Sequence, residues 1–284
     1  MSLSKKEKAI QLASAIEGSL RCPICQTNML VADEKRVVCA KQHSFDFAKQ
    51  GYLNFLTNVV PSHYDAALFE SRQETIMETG LFNPLHERLF RLLDETEGLL
   101  LDAGCGEGSH LQKTKELIPN MKTVGLDLAK EGIQKAAKSY SDHLWIVGDL
   151  ANIPLANQSI DVILNILSPS NYKEFKRVLK QEGLVIKVVP QVGYLQELRD
   201  HFFSKDEKKI YSNEKTVTLF REQFTTVKTE RLTYTRIVNH SEISALAEMT
   251  PLVWSTADEQ RQSLAKLESL RITIDLDVLI GRMT

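Results

Sequence analysis

Cys22, Cys25, Cys39 and His43 stand in the pattern C-x2-C-x13-C-x3-H near the start of the chain. A C-x2-C knuckle sets two thiolates on one tight turn, and a second pair a short excursion later can close a tetrahedron around zinc. The competing reading is unrelated thiols beside a stray histidine. Three of the four cysteines fall within eighteen residues, and the fourth, Cys105, belongs to another motif, which favours the metal. A complete Cys3His set has no open coordination position, so the expected site is structural. Metal binding of about 10 kcal/mol or more lets a lobe fold with little apolar burial of its own.

The chain of 284 residues has room for one large domain and a small appendage. No run of about eighteen apolar residues occurs, which excludes a spanning helix. The opening MSLSKKEKAIQLASAIEGSL lacks the apolar core of a signal peptide, and thiols arranged for metal point to the cytoplasm. The net charge of −2 argues against a protein that merely coats nucleic acid. Residues 1–60 nevertheless carry eight basic against five acidic side chains, and residues 165–236 fourteen against nine. Those regions would grip a polyanion; a solvated mixed-charge face is the bland alternative.

Residues 1–20 read as a short amphipathic helical extension, residues 21–56 as the zinc lobe and residues 57–83 as a linker with a helix from Ala66 to Thr79. Residues 84–284 form the main domain. There LLLDAGCG, KTVGLDL, LWIVGDL, SIDVILNIL and GLVIKVVP read as buried strands, and most connections between them read as helices. This alternation implies a doubly wound α/β fold with a mostly parallel sheet. Helices are expected near 193–203, 241–249 and 257–268. FTTVKTERLTYTRIV and RITIDLDVLIGRM read as two late strands.

The first strand runs into Asp102-Ala-Gly104-Cys-Gly106-Glu107-Gly108. A dinucleotide fingerprint needs a third glycine at 109, where Ser109 stands. G-x-G-x-G behind an acidic residue instead resembles the S-adenosylmethionine loop of class I methyltransferases, whose Rossmann-like sheet has seven strands and an antiparallel edge pair. That resemblance turns Asp102 toward the methionine end of the cofactor and wraps the Gly104–Gly108 backbone around it. Asp127, with Leu128 after it, ends the second strand, where a carboxylate can accept from both ribose hydroxyls. Asp149 ends the third strand where an acid of this fold meets adenine, with Leu150 flanking the ring. Singly, each is a tight turn or a helix cap. Three in order at strand carboxyl ends mark a ligand crevice. Cys105 reads as a small residue filling the turn; Trp145 and Trp254 read as core or substrate-edge aromatics.

The stretch from Cys22-Pro-Ile-Cys25 through Cys39-Ala-Lys-Gln-His43 to Gly51-Tyr52-Leu-Asn54, with LDAGCGEG, GLDLAK, RVLKQEG and Met249-Thr250-Pro251-Leu-Val-Trp254, resembles the bacterial 23S rRNA (guanine-N1)-methyltransferases of the RlmA and tylosin-resistance type. The resemblance implies methylation of guanine N1 in a 23S rRNA hairpin, a zinc lobe that helps grip that RNA, and a homodimer. It also implies cofactor contacts from the linker aromatic Phe82 and from Tyr194, beyond the fifth strand. Asn165 and Ser168, at the end of the fourth strand, are the candidates to contact the base; Ser168-Pro169-Ser170 capping the next helix is the alternative. The segment lacks the Asn-Pro-Pro-aromatic signature of adenine amino-methylating enzymes. No general base is evident. Lys35, Arg36, Lys41 and Lys49 are candidates to hold phosphates. Methylation of a small molecule, and a non-catalytic RNA-binding role, are the competing functions.

Overall fold

The computed structural model describes residues 3–58, 65–94, 96–203, 212–250, 263–264 and 266–283. Helix α1 (Lys5–Ala15) opens on a capping box, Ser4 bonding the Glu7 amide while Glu7 bonds the Ser4 amide. The ribbon follows as a three-stranded antiparallel sheet of β1 (Met29–Ala32), β2 (Arg36–Cys39) and β3 (Ser44–Asp46). β4 (Tyr52–Asn54), at the end of the expected lobe, leaves that sheet and joins the larger one.

The larger sheet contains β5 (Leu99–Ala103), β6 (Lys122–Asp127), β7 (Leu144–Val147), β8 (Ile160–Ile166), β9 (Leu179–Pro190), β10 (Thr226–Asn239) and β11 (Ser269–Arg282). Its order is β10-β11-β9-β8-β5-β6-β7-β4. β4 to β9 are parallel; β11 runs antiparallel to β9, and β10 to β11. The seven expected strands are all present. The eighth, β4, covers the edge of β7 through the register Tyr52↔Trp145 to Asn54↔Val147, which removes an exposed edge.

The linker supplies α2 (Ala66–Met77), and α3 (Asn83–Leu93), with Pro84 in its first turn, opens the main domain. Within the doubly wound part lie α4 (Ser109–Leu117), α5 (Lys130–Ser139) and α6 (Tyr172–Val178). α7 (Gln196–Phe202), α8 (Glu214–Gln223) and α9 (His240–Glu248) follow. α8 has no counterpart in the sequence reading, because Thr216 and Thr218 blur its short apolar face; the fold settles it by burying Val217 and Phe220. The helix expected near 257–268 and Trp254 lie largely or wholly outside the described residues.

No helix bridges β7 to β8. That crossover is pinned to the ribbon's approach: the Arg21 amide donates to the Pro154 carbonyl at 3.1 Å and the Ala156 amide to the Ser19 carbonyl at 2.8 Å. Ribbon residues Cys22, Met29 and Val37 share one buried cluster with Leu126, Ile146 and Ile153 of the sheet side. The ribbon's core is therefore continuous with that of the sheet. Leu53 of β4 is wholly buried in the cluster, so Leu53→Ala should cost about 2–5 kcal/mol. Thermal unfolding followed by circular dichroism should show one lowered cooperative transition; two separate transitions would contradict a shared core.

Candidate functional site: a cofactor crevice, an adjoining cavity and a metal knuckle

The carboxyl ends of β5, β6 and β8 meet where the strand order reverses, the usual ligand position in doubly wound sheets. A cavity of about 420 Å³ opens there, lined by Gly104, Gly106, Asp127, Leu128, Asp149, Leu150 and Ser168, together with Phe69, Arg72 and Met249. Its size is that of a small-ligand site. The glycine loop is held by two amides, Gly104 and Cys105, that donate to the Leu126 carbonyl at 2.8 and 3.1 Å. Gly104 has φ 81°, and a Cβ there would lie 1.8 Å from Ser168 Oγ, so glycine lets the loop after β5 approach the turn after β8 this closely.

Asp127 accepts from the Gly106 amide through Oδ2 and from the Ala129 amide through Oδ1, both at 2.8 Å. Each oxygen keeps capacity for a further donor, as a ribose diol requires. Burial raises its pKa, and the amide bonds oppose that shift. Asp149 accepts from the Ala151 amide at 2.8 Å and is exposed at the cavity rim. Asp102 is 2% exposed, and burial pushes its carboxyl up to about 7, with Arg72 pulling the other way. Glu107 is fully buried and ion-paired with Arg72 at 2.6 Å. Three carboxylates thus share one guanidinium behind the glycine loop. This excess suits a ligand carrying positive charge and repels a pyrophosphate.

Of the expected cofactor residues, Phe82, Asp102, Glu107, Gly108 and Tyr194 do not line this cavity, and Asn165 lines neither cavity. Phe82 is fully buried at the start of α3, edge-on to His110 with ring centroids 5.2 Å apart. Phe69, one helix earlier, is the aromatic that the cavity receives. Asn165 contacts neither cavity. Its amide nitrogen donates to the Ala103 and Pro169 carbonyls at 2.7 and 2.9 Å, and its oxygen accepts from Ser170 Oγ and Lys187 Nζ at 2.8 and 2.5 Å. All four of its bonds are spent on the protein, leaving none to read a base. The helix beyond is capped by Asn171 rather than by Ser168 or Ser170. Gly108 and Trp145 pack together behind the loop, which makes Trp145 a core residue. Cys105 is buried, and its thiol is raised well above its ordinary range by that burial.

Tyr194 lines a second cavity of about 580 Å³, with Tyr172, Lys187, Lys215 and Leu219. The two cavities share Arg72, Leu167, Ser168, Pro169 and Met249. Arg72, Phe69, Met249 and Lys187 were missed as site residues. The i, i+3 spacing of Phe69 and Arg72 on the linker helix was the available signal; for Lys187, inside a strand, there was none.

The knuckle brings its four ligand atoms within 4.8 Å of one another. Cys25 Sγ lies 3.5 Å from Cys39 Sγ, and His43 Nδ1 lies 3.5 and 3.4 Å from Cys22 and Cys39 Sγ. Zinc–sulfur bonds near 2.3 Å imply tetrahedral edges of roughly 3.7 Å, so the donors fit zinc and close its shell. Thr27 Oγ1, 3.1 Å from Cys25 Sγ, pulls that thiol down to about 6, toward the thiolate a metal requires. The knuckle also touches the loop that carries Asp149: Asn152 Nδ2 donates to the Pro23 carbonyl at 2.9 Å, and Gln26 Nε2 to Asn152 Oδ1 at 3.2 Å.

The sheet order, the G-x-G-x-G loop and the strand-end acids define a class I S-adenosylmethionine-dependent methyltransferase domain, here carrying a zinc ribbon. Residues 20–58 match the zinc-ribbon family described as RlmA, N-terminal, and residues 100–183 match a methyltransferase domain family. A Bacillus subtilis protein named as a candidate 23S rRNA (guanine-N1)-methyltransferase, YxjB, is 40% identical over 92% of this chain and 96% of its own. The 23S rRNA (guanine(748)-N(1))-methyltransferase of Streptomyces fradiae is 27% identical over 93% and 96%. A similarly named Micromonospora griseorubida protein is 28% identical over the same shares. The chain belongs to the RlmA-type family of 23S rRNA (guanine-N1)-methyltransferases.

Cys22→Ser, or removal of zinc by chelation, should lower affinity for S-adenosylmethionine as well as loosen the ribbon, because the knuckle braces the Asp149 loop. Calorimetric titration of metal-loaded and metal-stripped protein checks this; equal affinities would separate the ribbon from the crevice.

Proposed function

We propose that this protein transfers a methyl group from S-adenosylmethionine to N1 of a guanosine in a 23S rRNA hairpin. The observation that carries the reading is the pair of cavities meeting at Ser168, one fitted to a cationic nucleoside donor and the other able to admit a base beside it. Family membership supplies the substrate.

In this reading Gly104, Gly106, Asp127, Leu128, Asp149 and Leu150 hold the donor's nucleoside and backbone-facing parts, and Phe69 packs against it. Asp102 and Glu107, behind the loop, supply the negative field for its charged amino acid end, and Gly108 lets the loop close against Trp145. The bound donor carries an electrophilic methyl group. The chain's task is then to exclude water, orient the base in line with that methyl and let the N1 proton leave. Ser168 lies at the boundary where donor and base would meet, and Tyr194 offers a face beside the base. A paired target would have to be extruded from its stem, which favours a guanosine in a loop.

Cys22, Cys25, Cys39 and His43 hold the structural zinc. Lys35, Arg36, Lys41 and Lys49 are exposed on the ribbon, where they could meet phosphates. The assignment keeps residues 21–56 as the RNA-gripping lobe, 1–20 as its helical extension, 57–83 as the linker and 84–284 as the catalytic domain. A homodimer, with a second subunit walling the RNA cleft, and a cytoplasmic location belong to the same reading. No helix of the described residues is long and apolar enough to cross a membrane.

Tritiated donor and in vitro transcribed 23S rRNA should yield label at one guanosine, located by a primer-extension stop because N1 methylation blocks pairing. Label on small acceptors but not on RNA would overturn the reading. Affinity for RNA should also fall steeply with salt.

Asp102 adds a pH signature. Its folded pKa of about 7 lies above the ordinary carboxylate value, so ionising it as pH rises through 7 costs stability in the ligand-free protein. A cationic donor favours the ionised form. Donor affinity should therefore climb between pH 6 and 8, and Asp102→Asn should flatten that climb in calorimetric titrations. An unchanged profile in the variant would remove Asp102 from the donor's field.

A further inference from the structure

The cavity beside the donor crevice contains a buried amine with no counter-ion. Lys187 lies within β9, opposite Asn165 of β8 and Leu279 of β11, and is 3% exposed. Its Nζ meets two acceptors, Asn165 Oδ1 at 2.5 Å and the Ser168 carbonyl at 2.9 Å. Among the described residues no carboxylate pairs with it. The other titratable groups facing the cavity are Arg72 from α2, Tyr172 from α6, Tyr194 after β9 and Lys215 from α8, and none is acidic. Arg72 is already paired with Glu107.

A lysine this buried is ordinarily paired. The two acceptors explain how this one is kept. A neutral amine has two N–H bonds and one lone pair, so Asn165 Oδ1 and the Ser168 carbonyl satisfy both donors. The remaining tetrahedral position has no protein partner, and Lys187 lines the cavity. Burial lowers its pKa to about 8, so a useful fraction is unprotonated near neutrality. Asn165, with every bond committed, is the positioning residue for this nitrogen.

Resting on the guanine reading above, we infer that Lys187 is the general base, its Nζ lone pair taking the N1 proton of the guanine held in the adjoining cavity. The N1–H bond breaks as a third N–H bond forms on Nζ. The N1 electron pair forms the bond to the methyl carbon, and the carbon–sulfur bond breaks with its pair left on sulfur. The donor departs as a neutral thioether, and the positive charge it brought resides on the Lys187 ammonium. That proton then passes to solvent through the open cavity. The ammonium keeps the Asn165 and Ser168 acceptors, and its third N–H faces the cavity that opens to solvent.

The test is single-turnover methyl transfer to in vitro transcribed 23S rRNA, with the product located by primer extension, across pH 6 to 9. The wild-type rate should rise with a midpoint near pH 8 and level off toward pH 9. Lys187→Met should lose about 100-fold or more, the range of general-base catalysis, while calorimetric donor affinity stays within about threefold. Lys187→Arg keeps a cation in place but cannot accept the proton, and should be equally impaired. Lys187→Ala should regain rate with added methylamine, in proportion to the free amine. Full activity in Lys187→Met or Lys187→Arg, or a Lys187→Ala defect that methylamine leaves untouched, would overturn the assignment. A wild-type protein giving no primer-extension stop would overturn the guanine reading itself, and this inference with it.

Discussion

Everything at the head of the sheet depends on the hydrogen bonds of one amide, Asn165. It ties the end of β5 to the turn after β8 and to the ammonium or amine of β9, through Ala103, Pro169, Ser170 and Lys187. In a low-dielectric interior such a network is costly if any member is unpaired, and rigid when all are paired. Asn165 has all four bonds made, so the turn at 167–170 has one position. Leu167 pays for that position with φ 51°, in the left-handed region that side chains resist. The result is Ser168 set against Gly104, where donor crevice and neighbouring cavity meet.

The two cavities differ in charge although they share a wall. Behind the glycine loop, Asp102, Glu107 and Asp127 face a single Arg72. Across Ser168, the described lining has lysines and tyrosines but no acid. Such a division suits a reaction in which a cationic donor meets a nucleophile that must shed a proton. Each half of the reaction then finds a field of the right sign before any motion occurs.

The ribbon is part of the same construction. β4 extends the sheet, the segment 19–21 pins the helix-free crossover from β7 to β8, and the knuckle backbone and Gln26 bond Asn152. A metal that fixes Cys22 and Cys25 thereby fixes, within a few residues, the loop that carries Asp149. The ribbon and the cofactor crevice are thereby coupled through a short path without any moving hinge.

Much of this was legible in the sequence because it is local. The knuckle spacing, the G-x-G-x-G turn with its strand-end acids, and the alternation of helices and buried strands each follow from constraints acting over a few residues. So does the position of α2, read from its apolar pattern. The rest is long-range. Nothing near Phe82 says that its ring faces His110 instead of the crevice, nor that Phe69 lines the cavity in its stead. Asn165 stood at the right strand end to read a base, and only the convergence of two carbonyls, a serine and a lysine exhausts its bonding. Lys187 is one lysine among many until the pairing of β8 with β9 buries it beside a cavity that has no acid. Sequence determined which residues could form turns, metal ligands and strands. Tertiary packing decided which polar groups would be desolvated, and so which could act on a proton.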